Sequence, residues 1–545
     1  MTWPTIFDNK LNEYNAMPLP GQQLAAAHAN SLLEHKLNLD FKAPAGYQRL
    51  TGIMASMGHS TNNIETMEKM MQAGMNIAFL NTSFGQRDEH VETIKMLRQA
   101  AKNHSVMMGK NYPLAIAIRL SGKKIRTGRI AESYGETVEL RKGDNIRLTP
   151  DETYRDRCSA LTIYIDFMYL AEQLKKDDTI LLDNESIEMK VEMISGTTLT
   201  CKVERGGFLG SYKDVFVPNV ALQMPSISDK DKLNIEMAVH NQVDIVIPSF
   251  VNTPSIIAEL RQLLGDKGKK IMIMANIQTT EGYNNFTDIL EVVDAILITR
   301  QELGSDITPK KLVVAQKNMI ARANQANIAV CISTNILSSM RFFCHPLRAE
   351  LLDVANCIID GVDCLALCAE TAVGLYPVET VACLANACKE AEACIWSKQI
   401  FLDFVDKTPM PSGQVSSVAM AAVLAAQRCL ASAMILITTT GKSAKMVAKF
   451  KPRCPIIAVT RYGGIARQLN LWRGIMPLIY EDTPDSDWSL DLENRINFGL
   501  KFAMERGFVR IGDPILVLCG WKHGSGSADT VRIIYVCNAT ITLVL

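Results

Sequence analysis

The sequence has 545 residues, of which 48% are hydrophobic and 21% are charged. A chain of this length and composition buries large cores and is expected to divide into two to four globular domains. Its 57 basic and 57 acidic residues give a formal net charge of zero, which argues against bulk electrostatic binding to nucleic acid or to an anionic membrane and favours small ligands or protein partners.

Eight short apolar runs in the first two thirds of the chain predict β-strands. Each is rich in β-branched residues and apolar on both faces, which is typical of strands buried in a parallel sheet. In chain order they span 50–56, 75–80, 114–119, 243–248, 270–276, 295–299, 328–332 and 362–367. Amphipathic helical stretches lie between most of them, for example at 64–73, 90–102, 255–264 and 310–326. These strand-then-helix units predict a closed (β/α)8 barrel, with its chemistry at the carboxyl ends of the strands.

The interval between the third and fourth predicted strands is too long for a barrel unit, since it holds about 120 residues where about 30 suffice. Segments of alternating polarity with turn residues fill it, which predicts a small inserted β-barrel or sandwich. Beyond residue 390, a helical stretch and five further strand-like runs predict a C-terminal α/β domain. The predicted divisions are an N-terminal segment at 1–44, the barrel at 45–121 and 225–389, the insertion at 122–224, and the C-terminal domain at 390–545.

The fourteen cysteines lie mostly within apolar runs. They include neither a CxxC pair nor the Cys/His spacing of a zinc site, which predicts reduced thiols. The N-terminus has no basic stretch followed by an apolar core, and no apolar run approaches about 18 residues. We therefore expect a cytoplasmic protein with no membrane partner.

Several motifs resemble those of the pyruvate kinase family over nearly the whole chain. They are GMNIAFLNTSFG, GKKIRTGRI, GGFLGS, QELGSDI, RAELLDVANCIIDGVDCLALCAETAVGLYP, GKSAKMVAKFKPRCPIIAVTR and GWKHGSGSADT. The resemblance implies a barrel with an inserted mobile lid and a C-terminal regulatory domain, assembled as a tetramer. It also implies transfer of the phosphoryl group of phosphoenolpyruvate to ADP, giving pyruvate and ATP, with Mg²⁺ and K⁺.

The resemblance assigns the catalytic lysine and a metal-binding glutamate to the fifth strand end, where the family has Lys-Ile-Glu. This chain has Asn276-Ile277-Gln278 instead. The second metal-binding residue, an aspartate in the family, is Glu302. A phosphoryl group in transfer carries dispersed negative charge, and Mg²⁺ prefers carboxylate oxygens. These replacements therefore predict strongly impaired or absent turnover and weakened metal binding.

Further replacements fall at the substrate and potassium positions. Phe79 stands where the family has its substrate-binding arginine. The resemblance assigns K⁺ to Asn81 and Ser83, which are retained, and to an aspartate that is Arg119 here. A guanidinium at this position predicts exclusion of the ion by its like charge. Both Mg²⁺ and K⁺ are thus expected to bind poorly.

Other family positions keep their residues. Arg126, Thr334 and Glu370 match catalytic positions, and Ser249 lies at a strand end on the substrate-binding side. Three interpretations remain open. The chain is an impaired pyruvate kinase, a non-catalytic ligand-binding or regulatory subunit in a homo- or hetero-tetramer with active chains, or an enzyme of altered chemistry in which Lys123 and Lys124 supply new positive charge.

A second candidate site lies in the C-terminal domain, where a threonine-rich loop follows a strand and opens a helix. Its backbone N–H groups and hydroxyls converge on one point, which favours an anion. Taken alone, the loop also fits an ordinary helix start with Thr440 as the cap. The resemblance matches it to the family's sugar-bisphosphate effector loop. The candidate effector residues are Thr438, Thr440, Gly441, Lys442, Ser443, Arg495, Trp521 and Gly526.

Overall fold

A computed structural model describes residues 23–27, 29–44, 48–122, 125–183, 186–218, 220, 227–520 and 528–536. The described residues fall into two compact units, one from Met1–Leu120 with Lys232–Leu545 and the other from Ser121–Asp231. No helix within these ranges has both the length and the apolar character needed to cross a membrane.

The strands follow one another through both units. In chain order they are β1 (Gly52–Ser56), β2 (Ile77–Asn81), β3 (Ala115–Arg119), β4 (Ile125–Arg126), β5 (Thr137–Leu140), β6 (Asn145–Thr149), β7 (Thr162–Tyr164), β8 (Thr179–Leu182), β9 (Ile187–Ser195), β10 (Thr198–Arg205), β11 (Gly207–Gly210), β12 (Asp214–Phe216), β13 (Ile245–Ile247), β14 (Met272–Ile277), β15 (Ala295–Thr299), β16 (Ala329–Ser333), β17 (Cys364–Leu367), β18 (Ala433–Ile437), β19 (Ile456–Thr460), β20 (Ile475–Ile479), β21 (Pro514–Gly520) and β22 (Ala528–Tyr535).

The helices alternate with the barrel strands and surround the C-terminal sheet. They are α1 (Leu24–Ala27), α2 (Leu32–Leu37), α3 (Ile64–Ala73), α4 (Arg87–Met108), α5 (Leu170–Gln173), α6 (Asp229–His240), α7 (Pro254–Leu264), α8 (Thr280–Asn284), α9 (Phe286–Leu290), α10 (Arg300–Asp306), α11 (Pro309–Ala326), α12 (Arg348–Ile359), α13 (Ala369–Ala372), α14 (Pro377–Ala393), α15 (Ser397–Asp406), α16 (Gln414–Arg428), α17 (Lys442–Lys449), α18 (Gly463–Leu469) and α19 (Trp488–Glu505).

Eight parallel strands close into a barrel in the order β1-β17-β16-β15-β14-β13-β3-β2. Side chains alternate along each strand, so that Ala117 and Met274 point into the packed interior. Two residues further along the same strands come Arg119 and Asn276. Because all strands run the same way, these inward positions meet at one edge of the barrel. The predicted (β/α)8 barrel is confirmed.

Some helices and strands begin or end at residues other than the predicted ones. The helix predicted at 90–102 spans Arg87–Met108. It starts earlier because the Gln86 N–H donates to Glu89 Oε2 at 3.0 Å, and it continues to Gly109, whose left-handed φ of 65° ends it. The strand predicted at 243–248 is shorter than expected and spans Ile245–Ile247.

The unit formed by Ser121–Asp231 is a β structure. Its main sheet has the order β4-β12-β8-β9-β10-β6-β7, and β11 pairs with β5 in a second, two-stranded sheet. Alternate residues of the antiparallel pair β9 and β10 are buried, including Met189, Val191, Cys201 and Val203. The predicted inserted β domain is therefore present.

The C-terminal sheet has the order β20-β19-β18-β21-β22, with only the β21–β22 pair antiparallel. It belongs to the same compact unit as the barrel. Helices α16 and α17 pack on one face of the sheet, through residues such as Ala422 and Val447. Helix α19 packs on the other face through Ile496 and Leu500. The predicted C-terminal α/β domain is confirmed.

A buried ion pair and a half-buried one join the barrel to the C-terminal sheet. Lys451 Nζ lies 2.8 Å from Asp363 Oδ1, and Arg467 Nε lies 2.7 Å from Asp244 Oδ1. Asp244 immediately precedes β13 and Asp363 immediately precedes β17, so both contacts are at the amino ends of the barrel strands. The C-terminal sheet is thereby fixed to the barrel edge opposite the candidate site.

Candidate functional site

The candidate site lies at the carboxyl edge of the barrel. Arg119 ends β3, Ser249 follows β13, and Asn276 is the inward residue near the end of β14. Glu302 lies in the first turn of α10, directly after β15. Strand closure brings these residues together although they are far apart in the sequence.

Arg119 is the central side chain of this edge. Only 7% of its surface is exposed. Its guanidinium donates from Nε to Ser249 Oγ at 3.1 Å and from a terminal nitrogen to Glu302 Oε1 at 3.4 Å. Ser249 in turn donates to the Leu120 carbonyl oxygen at 2.7 Å. The arginine thus supplies a fixed positive charge that is paired with Glu302.

Gln278 is oriented by a backbone donor. The Phe250 N–H donates to Gln278 Oε1 at 2.8 Å, which fixes the amide oxygen on that side and turns the amide nitrogen away. Gln278 is 1% exposed, and its Nε2 has no hydrogen-bond partner among the described residues. The site therefore contains a buried N–H donor where the family resemblance places a metal-binding oxygen.

Asn276 is held by a chain of hydroxyl groups. Ser333 Oγ donates to Thr299 Oγ1 at 3.2 Å, and Thr299 Oγ1 donates to Asn276 Oδ1 at 2.5 Å. Asn276 is fully buried, and its Nδ2 has no hydrogen-bond partner in the described part of the chain. The position assigned to the catalytic lysine thus holds a neutral amide.

The β2 end combines an apolar and a polar position. Phe79 is 2% exposed and lies in the apolar barrel interior. Two residues later, Asn81 Oδ1 accepts from the Ser83 N–H at 3.2 Å. Thr82 Oγ1 donates to the Arg119 carbonyl oxygen at 2.8 Å, which ties this loop to β3. The substrate-binding position therefore carries no charge.

Thr334 follows β16 in a strained conformation. Its φ of 67° is unfavourable for a β-branched residue. Its Oγ1 donates to the Ser333 carbonyl oxygen at 2.6 Å and accepts from the Gln301 N–H at 3.0 Å. Arg300 Nε donates to the Thr334 carbonyl oxygen at 3.2 Å. These contacts hold the residue in place despite the backbone cost.

Glu370 lies in α13 beside the end of β17. Its Oε2 accepts from the Cys368 N–H at 2.7 Å. Burial raises the pKa of Glu370 above its usual range. Burial, followed by the nearby Glu370 charge, raises the pKa of the Cys368 thiol to about 12. Cys368 is therefore a neutral thiol at physiological pH.

Arg126 belongs to the other compact unit, so it is described apart from the barrel edge. Its Nε lies 3.1 Å from Asp214 Oδ1 on the paired strand β12. Its backbone N–H donates to Asp166 Oδ1 at 2.6 Å. Lys123 and Lys124 lie outside the described residues.

The threonine-rich loop between β18 and α17 folds back on itself. Thr438 Oγ1 accepts from the Gly441 N–H at 3.0 Å, and Ser443 Oγ lies 3.3 Å from the same oxygen. The helix cap is Gly441, with a φ of 77°, and not Thr440. Thr440 Oγ1 only approaches the Lys442 N–H, at 3.5 Å. The first turn of α17 thus begins without a side-chain cap.

Two residues beside Arg495 escaped the sequence analysis. Asp491 contacts Arg495 at 2.8 Å and Arg461 at 2.5 Å. The Trp488 ring lies 4.9 Å from the Arg495 guanidinium. Asp491 follows Trp488 by three residues and precedes Arg495 by four, which puts all three side chains on one face of the helix. This spacing could have been recognised in the sequence. Trp521 and Gly526 lie outside the described residues.

Comparison with known proteins gives two matches to one family. A profile described as "Pyruvate kinase, barrel domain" matches residues 48–381, and one described as "Pyruvate kinase, alpha/beta domain" matches residues 416–534. The chain is similar to "Pyruvate kinase PKLR" of Homo sapiens, with 38% identity over 515 residues that cover 94% of this chain and 90% of that protein.

The chain belongs to the pyruvate kinase family. It is also similar to the pyruvate kinase of Kluyveromyces lactis, with 35% identity over 489 residues that cover 90% of this chain and 96% of that one. Pyruvate kinases generally use Mg²⁺ and K⁺. The donor groups at the barrel edge can therefore be tested against the needs of these two ions.

The residues present do not fit the ions of a pyruvate kinase. Mg²⁺ needs anionic oxygens, but Gln278 is neutral and its oxygen already accepts from Phe250, and Glu302 is paired with Arg119. At the position that the family resemblance assigns to K⁺, the Arg119 guanidinium repels a cation. Within the described ranges, no group of three or more His, Cys, Asp or Glu residues is placed to hold a metal ion.

Proposed function

We propose that this member of the pyruvate kinase family transfers phosphoryl groups very slowly or not at all. The observation that supports this most is the ion pair between buried Arg119 and half-buried Glu302 at the carboxyl edge of the barrel. It supplies the edge with an internal cation, while Asn276 replaces the lysine that would stabilise the transferring group. Loss of one preorganised charge typically slows an enzyme about 10²- to 10³-fold, and several are replaced here.

A coupled assay tests this proposal directly. We expect purified protein with phosphoenolpyruvate, ADP, Mg²⁺ and K⁺ to show turnover at least about 10³-fold below an active family member measured alongside it. The variant Asn276→Lys alone should not restore activity, because Phe79, Arg119 and Gln278 are unchanged. Turnover within tenfold of the active enzyme would contradict the proposal.

Metal binding provides a readout that does not depend on turnover. We expect no saturable Mn²⁺ binding by the unmodified protein in water-proton relaxation measurements. The double variant Arg119→Asp with Gln278→Glu should show saturable Mn²⁺ binding, because it frees Glu302 and adds carboxylates at the edge. Gln72→Glu, which makes the same Gln-to-Glu change on the exposed side of α3, is the control and should bind no Mn²⁺.

A second candidate function is that of a non-catalytic subunit that assembles with active pyruvate kinase chains. Large exposed apolar side chains support it. Phe342 and Phe343 are 61% and 66% exposed, and Leu375 is 68% exposed. The Leu375 N–H donates to the Arg341 carbonyl oxygen at 3.0 Å, so the two segments are neighbours. Apolar surface of this kind favours association with a related chain.

Native mass spectrometry tests the subunit hypothesis. We expect tetramers of this chain alone, and mixed tetramers after co-expression with an active family member. Leu375→Asp should reduce assembly, whereas Val106→Asp, at a site that is 78% exposed on α4, should leave it intact. A monomer under both conditions would remove this hypothesis while leaving the catalytic proposal untouched.

Two finer assignments complete the proposal. A cytoplasmic location is supported by the cysteines, since every one in the described ranges is a free thiol. A sugar-bisphosphate effector is supported by the loop before α17, where the N–H groups of a helix start lie near Lys442 and Ser443. Arg495, its expected partner, is already paired with Asp491, which weakens this site for an anion.

A further inference from the structure

A cavity of about 140 Å³ lies away from the barrel edge, between helices α15 and α16 and the segment before β19. Its walls are largely apolar. They include Phe401, Leu402, Leu424 and Leu430, and Ala27 of α1 closes one side. A cavity of this size holds a benzene-sized ring, since an apolar cavity of about 150 Å³ in another protein binds benzene.

Three cationic side chains line the same cavity, namely Lys398, Arg428 and Arg453. Among the described residues that line it, none carries a carboxylate. Lys398 Nζ is satisfied by Asn30 Oδ1 at 3.0 Å. Arg453, in contrast, makes no ion pair or hydrogen bond with any part of the chain that the structure describes. The lining therefore carries a net positive charge.

Arg453 differs in this respect from three buried cations of the protein and resembles Arg473, which also lacks an ion pair among the described residues. Arg119, Arg300 and Lys451 each pair with a carboxylate, as burial of a charge normally requires. Burial lowers the pKa of Arg453 to about 10, which reflects the cost of a half-buried guanidinium with no counter-charge. Gln427 adds a second unmatched donor, because its Nε2 is buried with no partner among the described residues. Both groups favour an acceptor within the cavity.

We propose that this cavity binds a small aromatic carboxylate, with the ring against Phe401 and the leucines and the carboxylate on Arg453. The apolar walls match a flat ring, and the guanidinium matches the two oxygens of a carboxylate. A neutral ring fills the same space but leaves the guanidinium unpaired. The site is separate from the barrel edge, so it does not depend on whether the protein turns over substrate.

Titration calorimetry of the full chain with phenylacetate and with its neutral isostere phenylacetamide tests the proposal. We expect phenylacetate to bind at least about tenfold more tightly, since a hydrogen bond to a charged group is involved. Equal affinity for the two compounds, or no heat of binding for phenylacetate up to about 10 mM, would overturn it. This comparison uses only the unmodified protein.

Two variants locate the site. Arg453→Met keeps an unbranched apolar stem but removes the guanidinium, and should weaken phenylacetate binding about tenfold or more. Gln427→Glu introduces a carboxylate into the lining and should weaken it as well. Arg532→Met removes an exposed arginine of β22 and should leave the affinity unchanged. Binding that survives both cavity variants, or that falls equally in the control, would place the ligand elsewhere and refute the assignment.

Discussion

At the residue scale, charged side chains at both candidate sites are already paired with an opposite charge within the protein. Arg119 pairs with Glu302, and Asp491 pairs with both Arg461 and Arg495. A ligand that needs one of these charges must first displace its internal partner. We therefore expect internal pairing to reduce the affinity for ions at the barrel edge and for anions near α17.

The ion pairs of Asp491 with Arg461 and Arg495 predict that the stability of the protein depends on pH. The hydrogen bond from Arg461 lowers the pKa of Asp491 below its usual range. Its contribution is therefore present above the unfolded pKa of about 4 and is lost as the pH falls below that value. We expect Asp491→Asn to lower the free energy of unfolding by about 1–2 kcal/mol at pH 7, and this difference to shrink at pH 3.

Urea unfolding at the two pH values measures this effect. Glu493→Gln, at an exposed position of the same helix, is the control and should cost little at either pH. A difference between Asp491→Asn and the unmodified protein that stays the same at pH 3 would show that packing, and not the charge of Asp491, is responsible.

At the scale of single elements, the strands were predictable and the contacts between them were not. Each barrel strand is buried on both faces, so its apolar run was evident in the sequence. The pairing of Arg119 with Glu302 was not evident, because the two residues are 183 positions apart and meet only when the barrel closes. The sequence placed a positive charge at residue 119 but gave no indication of its partner.

Local chemistry explains the other differences. Thr440 was a plausible cap from its residue type, but Gly441 adopts the left-handed conformation that turns the chain into α17. Arg495 was predicted as an effector-binding residue, but its neighbours Trp488 and Asp491 were not, although the spacing of the three residues is helical.

The conformation of Gly441 at the start of α17 predicts that a methyl group added at this residue lowers the free energy of unfolding. Gly441→Ala places a Cβ 3.0 Å from Leu469 Cδ2 in a residue with a φ of 77°. Gly474 has a φ of 82° with nothing within 4 Å of an added Cβ, so Gly474→Ala measures the backbone cost alone. We expect losses of about 2 kcal/mol and about 1 kcal/mol, respectively, in the free energy of unfolding. Equal losses in urea unfolding would show that Leu469 moves aside freely.

At the scale of the whole molecule, the barrel and the C-terminal sheet share one compact unit. The Lys451–Asp363 and Arg467–Asp244 ion pairs join them. Asp363 also accepts from the Val330 N–H at 3.1 Å, so its carboxylate connects β16, β17 and Lys451. Burial lowers the pKa of Lys451, while Asp363 opposes this shift. Removing one partner therefore leaves the other as an uncompensated buried charge.

Lys451→Met is expected to lower the free energy of unfolding by about 3–5 kcal/mol, because it leaves the Asp363 carboxylate without a counter-charge. The double variant Asp363→Asn with Lys451→Met should recover part of this loss, since it removes both charges. Thermal and urea unfolding measure both. Lys69→Met, which breaks an exposed pair with Glu65, is the control and should have no measurable effect. A double variant less stable than Lys451→Met would contradict this explanation.

The Arg119–Glu302 pair also limits which substitutions the carboxyl edge of the barrel tolerates. Aspartate at position 119 alone would put two carboxylates side by side with no cation between them. Lysine at position 276 alone would add a second cation to an edge that already has one. We expect each of these single substitutions to lower the free energy of unfolding. The pair thus makes residues 119, 276 and 302 interdependent, so that a tolerated change at one of them requires a change at another.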